Sequence, residues 1–157
     1  MSNKRSQVVY YSRTGTTKKI ANEIFKKLEC DEEEIVDMKS RAGAMRYVDA
    51  GRDVKKRVLT TIQEPIRDPA EYDLLIIGTP VWAGSLSVPV KTYCTQMRGR
   101  VGRVAFFLTQ DGDESSAFDE MRAILGKDPI SSLALNGKKE VDTGTYPGKL
   151  DAFLDRV

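Results

Sequence analysis

Short hydrophobic runs alternate with longer stretches of helical periodicity along the chain. Three of the runs lack polar alternation, which is typical of strands in a parallel sheet with both faces covered by helices. The runs that predict strands are residues 8–11, 35–36, 74–77, 104–108 and 133–135. This alternation predicts an α/β fold, in which five strands form an open, doubly wound parallel sheet with helices on both faces.

Four stretches between and after these runs place hydrophobic residues on one face of a helix. Their apolar positions are Ile20, Ile24, Phe25 and Leu28; Val90, Tyr93, Cys94 and Met97; Phe118, Met121 and Leu125; and Leu150, Phe153, Leu154 and Val157. Apolar residues between 45 and 62 suggest a further helix, broken near Gly51. The segment 29–37 carries six carboxylates, and we interpret it as a solvated turn leading into a short second strand.

Composition limits the possible chemistry more than it limits the fold. A length of 157 residues suits one domain, residues 1–157, and 25 basic against 23 acidic residues indicate neither nucleic-acid binding nor membrane insertion. The absence of histidine excludes histidine-based catalytic triads and histidine-ligated metal sites. The chain shows no signal-peptide core and no membrane-spanning run, so we expect a cytoplasmic protein.

Four hydroxyl groups and a glycine directly follow the first predicted strand and open the first predicted helix. They belong to the segment Ser12-Arg13-Thr14-Gly15-Thr16-Thr17. Backbone N–H groups at a helix start favour an anion, and hydroxyl groups add further donors. The segment therefore predicts a phosphate site, with capping of the helix by a threonine as the alternative. It is not a P-loop, because the second glycine and the lysine of that motif are missing.

Two further loops follow the third and fourth predicted strands and meet the phosphate loop at the ligand edge of such a sheet. Thr79-Pro80-Val81-Trp82-Ala83-Gly84 holds the only tryptophan, which either stacks on a planar ligand or covers the end of the core. Thr109-Gln110-Asp111-Gly112-Asp113-Glu114 either caps the next helix or reads the polar edge of a heterocycle. Together the three loops predict a site for a mononucleotide with a planar ring.

At these three loops the sequence resembles the flavodoxin family, whose members bind FMN. The resemblance rests on the hydroxyl-rich loop, on YDLLIIGTPVWAGSLSVPVKTY over 72–93 and on FFLTQDGDE over 106–114. It implies a short-chain flavodoxin-like fold with strand order 2-1-3-4-5. Family members frequently cover the second face of the flavin with an aromatic residue, but 109–114 has none. The flavin ring is then stacked against an aromatic residue on one face only, or Tyr47 replaces the missing aromatic residue on the second face.

The resemblance also implies which residues bind the cofactor, with no catalytic side chain and no metal ligand among them. They are Ser12, Arg13, Thr14, Gly15, Thr16, Thr17, Pro80, Val81, Trp82, Ala83, Gly84, Thr109, Gln110, Asp111 and Gly112. A backbone carbonyl near Ala83 or Gly84 is expected to accept a hydrogen bond from flavin N5. The carboxylates of Asp111, Asp113 and Glu114 would oppose negative charge on the reduced ring and lower its second reduction potential by roughly 100 mV.

The implied function is electron transfer, in which bound FMN cycles between oxidised, semiquinone and hydroquinone states and exchanges electrons with reductase and acceptor proteins. An NAD(P)H-dependent quinone or flavin reductase of the same fold is the first alternative, and a flavin-free binding module is the second. Residues 39–62, with seven basic side chains against two aspartates, form either a solvated helix face or a docking surface for an acidic partner.

Overall fold

The computed structural model describes residues 5–38, 59–112 and 114–157. Five parallel strands form the central sheet: β1 (Ser6–Tyr10), β2 (Asp31–Glu34), β3 (Leu74–Trp82), β5 (Arg103–Gln110) and β6 (Ser132–Asn136). Their order, β2-β1-β3-β5-β6, is the predicted 2-1-3-4-5 order of the parallel strands. A sixth strand, β4 (Ser85–Leu86), pairs antiparallel with the end of β3. It was not predicted, because two residues are too short to show periodicity.

Helices connect the strands as the periodicity predicts. They are α1 (Thr16–Leu28), α2 (Val88–Met97), α3 (Ala117–Leu125) and α4 (Pro147–Leu154), with helical turns at Pro69–Glu71 and Gly137–Val141. Phe25 was wrongly placed in the core and is 41% exposed, because it is one residue, or about 100°, away from the buried Ile24. The helix predicted between 45 and 62 falls mostly outside the described residues. No helix in the described ranges combines the length and apolarity needed to cross a bilayer.

The sheet carries a hydrophobic core on each face, because successive strand residues point to opposite sides. Val9 of β1 belongs to the core formed with α2 and α3, whereas its neighbour Val8 belongs to the core formed with α1 and α4. Gly78 in β3 is required by the second core, since a Cβ atom there would lie 2.0 Å from Cζ of Phe107. The two cores hold the carboxyl ends of β1, β3 and β5 in a fixed arrangement.

The second strand lies in the acidic segment that we interpreted as a solvated turn, and not at 35–36 as predicted. The carboxylates of this strand accept hydrogen bonds from later residues: the Tyr72 hydroxyl donates to Asp31 at 2.6 Å, and the N–H of Ile66 donates to Glu33 at 3.2 Å. β2 is also an edge strand, where charged side chains are tolerated and discourage pairing with other chains. The acidic sequence of β2 has low strand propensity, and its contacts with residues 66–72 stabilise it as a strand.

Candidate functional site

The site lies at the carboxyl ends of β1 and β3, where the strand order reverses. In open α/β sheets this position forms a crevice for ligands. Two adjoining pockets occupy it, one of about 70 Å³ and one of about 370 Å³. Both are lined by the same five residues, Arg13, Val81, Trp82, Gln110 and Asp111. The loops that follow the first, third and fourth predicted strands therefore meet at one site.

The smaller pocket is formed by the hydroxyl-rich loop at the start of α1. Gly15 is the N-cap residue with φ 102°, and no side chain in the described part of the chain caps the helix. The alternative prediction, helix capping by a threonine, is therefore wrong. Ser12 Oγ instead shapes the loop by accepting a hydrogen bond from the Gly15 N–H at 3.1 Å. The uncapped helix start leaves backbone donors for an anion, next to the hydroxyl groups of Thr14 and Thr16.

A buried hydrogen bond fastens the start of α1 to the end of β5. Thr17 Oγ1 and Thr109 Oγ1 are 2.8 Å apart, and both side chains are buried. Each hydroxyl belongs to a different predicted loop, and the two residues are separated by 92 positions in the chain. The bond therefore fixes the hydroxyl-rich loop relative to the loop that follows β5.

Trp82 is not an exposed platform, because other side chains of the site cover its ring. It is 3% exposed and belongs to the core. The Tyr11 ring meets the indole edge-on with centroids 5.5 Å apart, and the Arg13 guanidinium carbon lies 5.2 Å from the ring centre. The structure thus favours the alternative prediction, a tryptophan at the end of the core, while keeping the residue in the wall of both pockets.

The segment after Trp82 forms a two-residue hairpin turn that borders the larger pocket. Ala83 and Gly84 both have positive φ, 50° and 76°, as a type I′ turn requires. Ser116 N–H donates to the Gly84 carbonyl at 2.9 Å, so the start of α3 already holds this oxygen. Glu120 accepts a hydrogen bond from the Leu86 N–H at 2.8 Å and fixes the same hairpin from α3. Of the two carbonyls expected near flavin N5, that of Gly84 is engaged within the protein.

Asn136, which we did not predict, shapes the loop after β5. Its Nδ2 donates to the carbonyls of Asp111 and Gly112 at 3.2 and 3.3 Å, while its Oδ1 accepts from the N–H groups of Lys138 and Lys139. The Asn136 N–H donates to Glu140, and a hydrogen bond from Lys149 together with this one holds the pKa of Glu140 below its usual value. The three predicted loops do not include the end of β6, where an asparagine directly after the fifth predicted strand was the available signal.

Comparisons with known proteins agree with this architecture. No protein-family model and no curated protein matches the sequence. A flavoprotein from Lactobacillus acidophilus NCFM, solved in complex with FMN, is 28% identical with a TM-score of 0.72, covering 89% of this chain and 97% of that one. A flavodoxin from the domain Archaea is 15% identical with a TM-score of 0.56, covering 96% and 97%. The chain therefore has a flavodoxin-like fold.

An NADH:FMN oxidoreductase in its apo form is 16% identical to this chain, with a TM-score of 0.57, covering 98% of this chain and 90% of that one. At such low identity, this structure and the archaeal flavodoxin show the common fold alone. The fold therefore does not separate electron carriers from enzymes.

Nearly all of the predicted site residues come together in the structure. Every one except Ser12 and Gly15, which shape the phosphate loop, lines at least one of the two pockets. Glu114 also lines the larger pocket and Gly137 the smaller one. Neither was among the predicted cofactor-binding residues. Tyr47, the basic residues up to 58 and Asp113 lie outside the described residues, so their predicted roles stay predictions.

Proposed function

We propose that this flavodoxin-like protein binds FMN and carries electrons between a reductase and an acceptor protein. The observation that carries the proposal is the pairing of an uncapped, hydroxyl-lined helix start with a pocket of about 370 Å³. That volume lies in the range of roughly 300–1,000 Å³ typical of small-molecule sites, whereas the smaller pocket suits a phosphate group. The L. acidophilus flavoprotein, which was solved with FMN, supports the choice of ligand.

The chemistry of the donors fits the two parts of FMN. In the smaller pocket, neutral hydroxyl groups and helix N–H groups would hold the phosphate, led by Thr14, Thr16 and Thr17. In the larger pocket, the hairpin at Ala83 and the loop at Gln110 would enclose the ring. Bound FMN supplies transfer of one or two electrons, so no side chain need act as acid or base. The protein binds the ring, orients it and limits the access of water.

Titration with FMN and with riboflavin tests the phosphate half of the site. We expect Thr16→Val to weaken FMN binding about tenfold, or ~1.4 kcal/mol, because a hydroxyl bonded to a charged group contributes about 1.5–3 kcal/mol. Riboflavin lacks the phosphate, so its affinity should not change. Thr95→Val is the matched control, since this exposed threonine bonds only to the Lys91 carbonyl on α2 among the described contacts.

Equal losses for both ligands would contradict the assignment of Thr16 to phosphate. A colourless wild-type protein that binds neither flavin would refute the whole proposal and favour the flavin-free binding module. The visible spectrum during stepwise reduction then tests the carrier function, because it reports the one- and two-electron-reduced states of the bound flavin separately. A flavin that cannot be re-oxidised by any added one-electron acceptor would contradict it.

An NAD(P)H-dependent quinone or flavin reductase is the second candidate. It is favoured by the rim of the larger pocket, where Asp111, Gly112 and Glu114 are exposed and no aromatic side chain of 109–112 or 114 closes the entrance. A substrate could therefore approach the ring. Steady-state oxidation of NADPH in the presence of a quinone separates the candidates: turnover without an added reductase supports the enzyme, and none supports the carrier.

A further inference from the structure

Arg13 lies between the two halves of the site. Its backbone belongs to the phosphate loop, whereas its guanidinium group lies over the indole of Trp82, 5.2 Å from the ring centre. Arg13 lines both the smaller and the larger pocket. The only tryptophan of the chain is therefore covered by a flat cation, and a ligand entering the larger pocket meets this cation.

The larger pocket already has the volume of a ligand site with Arg13 in this position. Arg13 lines this space of about 370 Å³ while its guanidinium lies over the indole, so the pocket has room for a planar ring with the arginine in this position. Tyr11 supports the indole from its edge. A guanidinium is planar and stacks on aromatic faces, which the compact ammonium of lysine does not do.

We infer that the flavin ring rests against the Arg13 guanidinium, which Trp82 supports from behind, and that Arg13 recognises the ring and not the phosphate. This inference rests on the proposed function. A cation at the ring favours the electron-rich reduced form, and it offsets the negative charge of Asp111 and Glu114 in the same pocket wall. Arg13 thereby selects for planar rings that gain negative charge.

Arg13→Met tests the inference, because methionine keeps an apolar stem and removes the flat cation. We expect FMN and riboflavin to bind about tenfold more weakly, by the same factor, since the two ligands share the ring. We expect Arg13→Lys to weaken both ligands several-fold, and we expect the reduction potential of flavin bound to Arg13→Met to fall. A loss confined to FMN would make Arg13 a phosphate ligand and overturn the inference, as would wild-type affinity in Arg13→Lys.

Arg103→Met is the matched control for the lost charge. Arg103 begins β5, while Gln110 at the site ends it, so the two lie about 23 Å apart at roughly 3.3 Å per residue. We expect its flavin affinities and potential to equal those of the wild type. A fall in affinity equal to that of Arg13→Met would show that net charge alone is responsible and would overturn the inference.

Tryptophan fluorescence of the flavin-free protein gives a readout that does not depend on FMN. Trp82 is the only tryptophan, so its quenching by acrylamide reports how well Arg13 covers the indole. We expect quenching to rise in Arg13→Ala and to stay unchanged in Arg103→Met. Unchanged quenching in Arg13→Ala would overturn the inference even if flavin binds. A wild-type protein that binds neither flavin would instead refute the proposed function, while this measurement would still test the contact.

Discussion

Substitution of Asn136 tests how the larger pocket, which we propose holds the flavin ring, is built. Asn136→Asp retains oxygen acceptors for the N–H groups of Lys138 and Lys139 at 3.1 and 2.9 Å. It removes the Nδ2 donor that binds the carbonyls of Asp111 and Gly112, and it places a carboxylate against those two oxygens. The substitution therefore releases the loop after β5 while keeping the turn after β6.

The size of the effect follows from the two lost hydrogen bonds. At about 0.5–1.5 kcal/mol each, they contribute roughly 1–3 kcal/mol to holding the loop. Because the loop lines the larger pocket, we expect Asn136→Asp to weaken FMN and riboflavin equally, by about tenfold or more. We also expect the free energy of unfolding in urea to fall by up to about 3 kcal/mol.

Ser132→Asp is the control for the added negative charge, because Ser132 is exposed at the opposite end of β6. Fluorescence titration with both flavins and urea denaturation measure the two effects. Wild-type affinity for both flavins in Asn136→Asp would refute the reasoning, since the loop would then keep its shape without the asparagine donor. A loss confined to FMN would also refute it, because Asn136 acts on the ring half.

Three further predictions concern stability. Gly78→Ala should lower the free energy of unfolding in urea by about 1–3 kcal/mol, because its Cβ would meet the Phe107 ring at 2.0 Å; an unchanged free energy of unfolding would contradict this contact. Gln7 is fully buried, and neither of its side-chain amide atoms has a hydrogen-bond partner among the described residues. Because an unpaired buried amide costs free energy, Gln7→Leu should raise the free energy of unfolding by about 1 kcal/mol. A decrease in that free energy would contradict this prediction. The pKa of Glu140 is lowered by its hydrogen bond from Lys149, so its contribution to stability is present at pH 7 and lost as the pH falls through that lowered pKa. Wild type should therefore be more stable than Glu140→Gln at pH 7 and lose this advantage once the pH has fallen below that lowered pKa, whereas a difference that stays constant with pH would count against it.

Local patterns in the sequence predicted most of the fold. The strand β3 can be predicted from its own sequence, because a strand buried on both faces is apolar at nearly every position. The amphipathic stretch of α1 likewise places Ile20 and Ile24 on the buried face by spacing alone. β2 could not be found in this way, because Asp31 and Glu33 are stabilised by Tyr72 and Ile66, which come more than 30 residues later.

The sequence by itself determined which loops meet at the site, since the carboxyl ends of parallel strands share one edge of a sheet. It also determined the chemistry of the hydroxyl-rich loop, because Gly15 and its hydroxyl neighbours lie next to one another in the sequence. Only the tertiary structure decided that Arg13 covers Trp82 and that Asn136 holds the loop after β5. The physical reason is distance along the chain: periodicity and composition describe neighbours in sequence, whereas these contacts join residues at the ends of different strands or in the loops that follow them, and they form only when the two cores pack against the sheet.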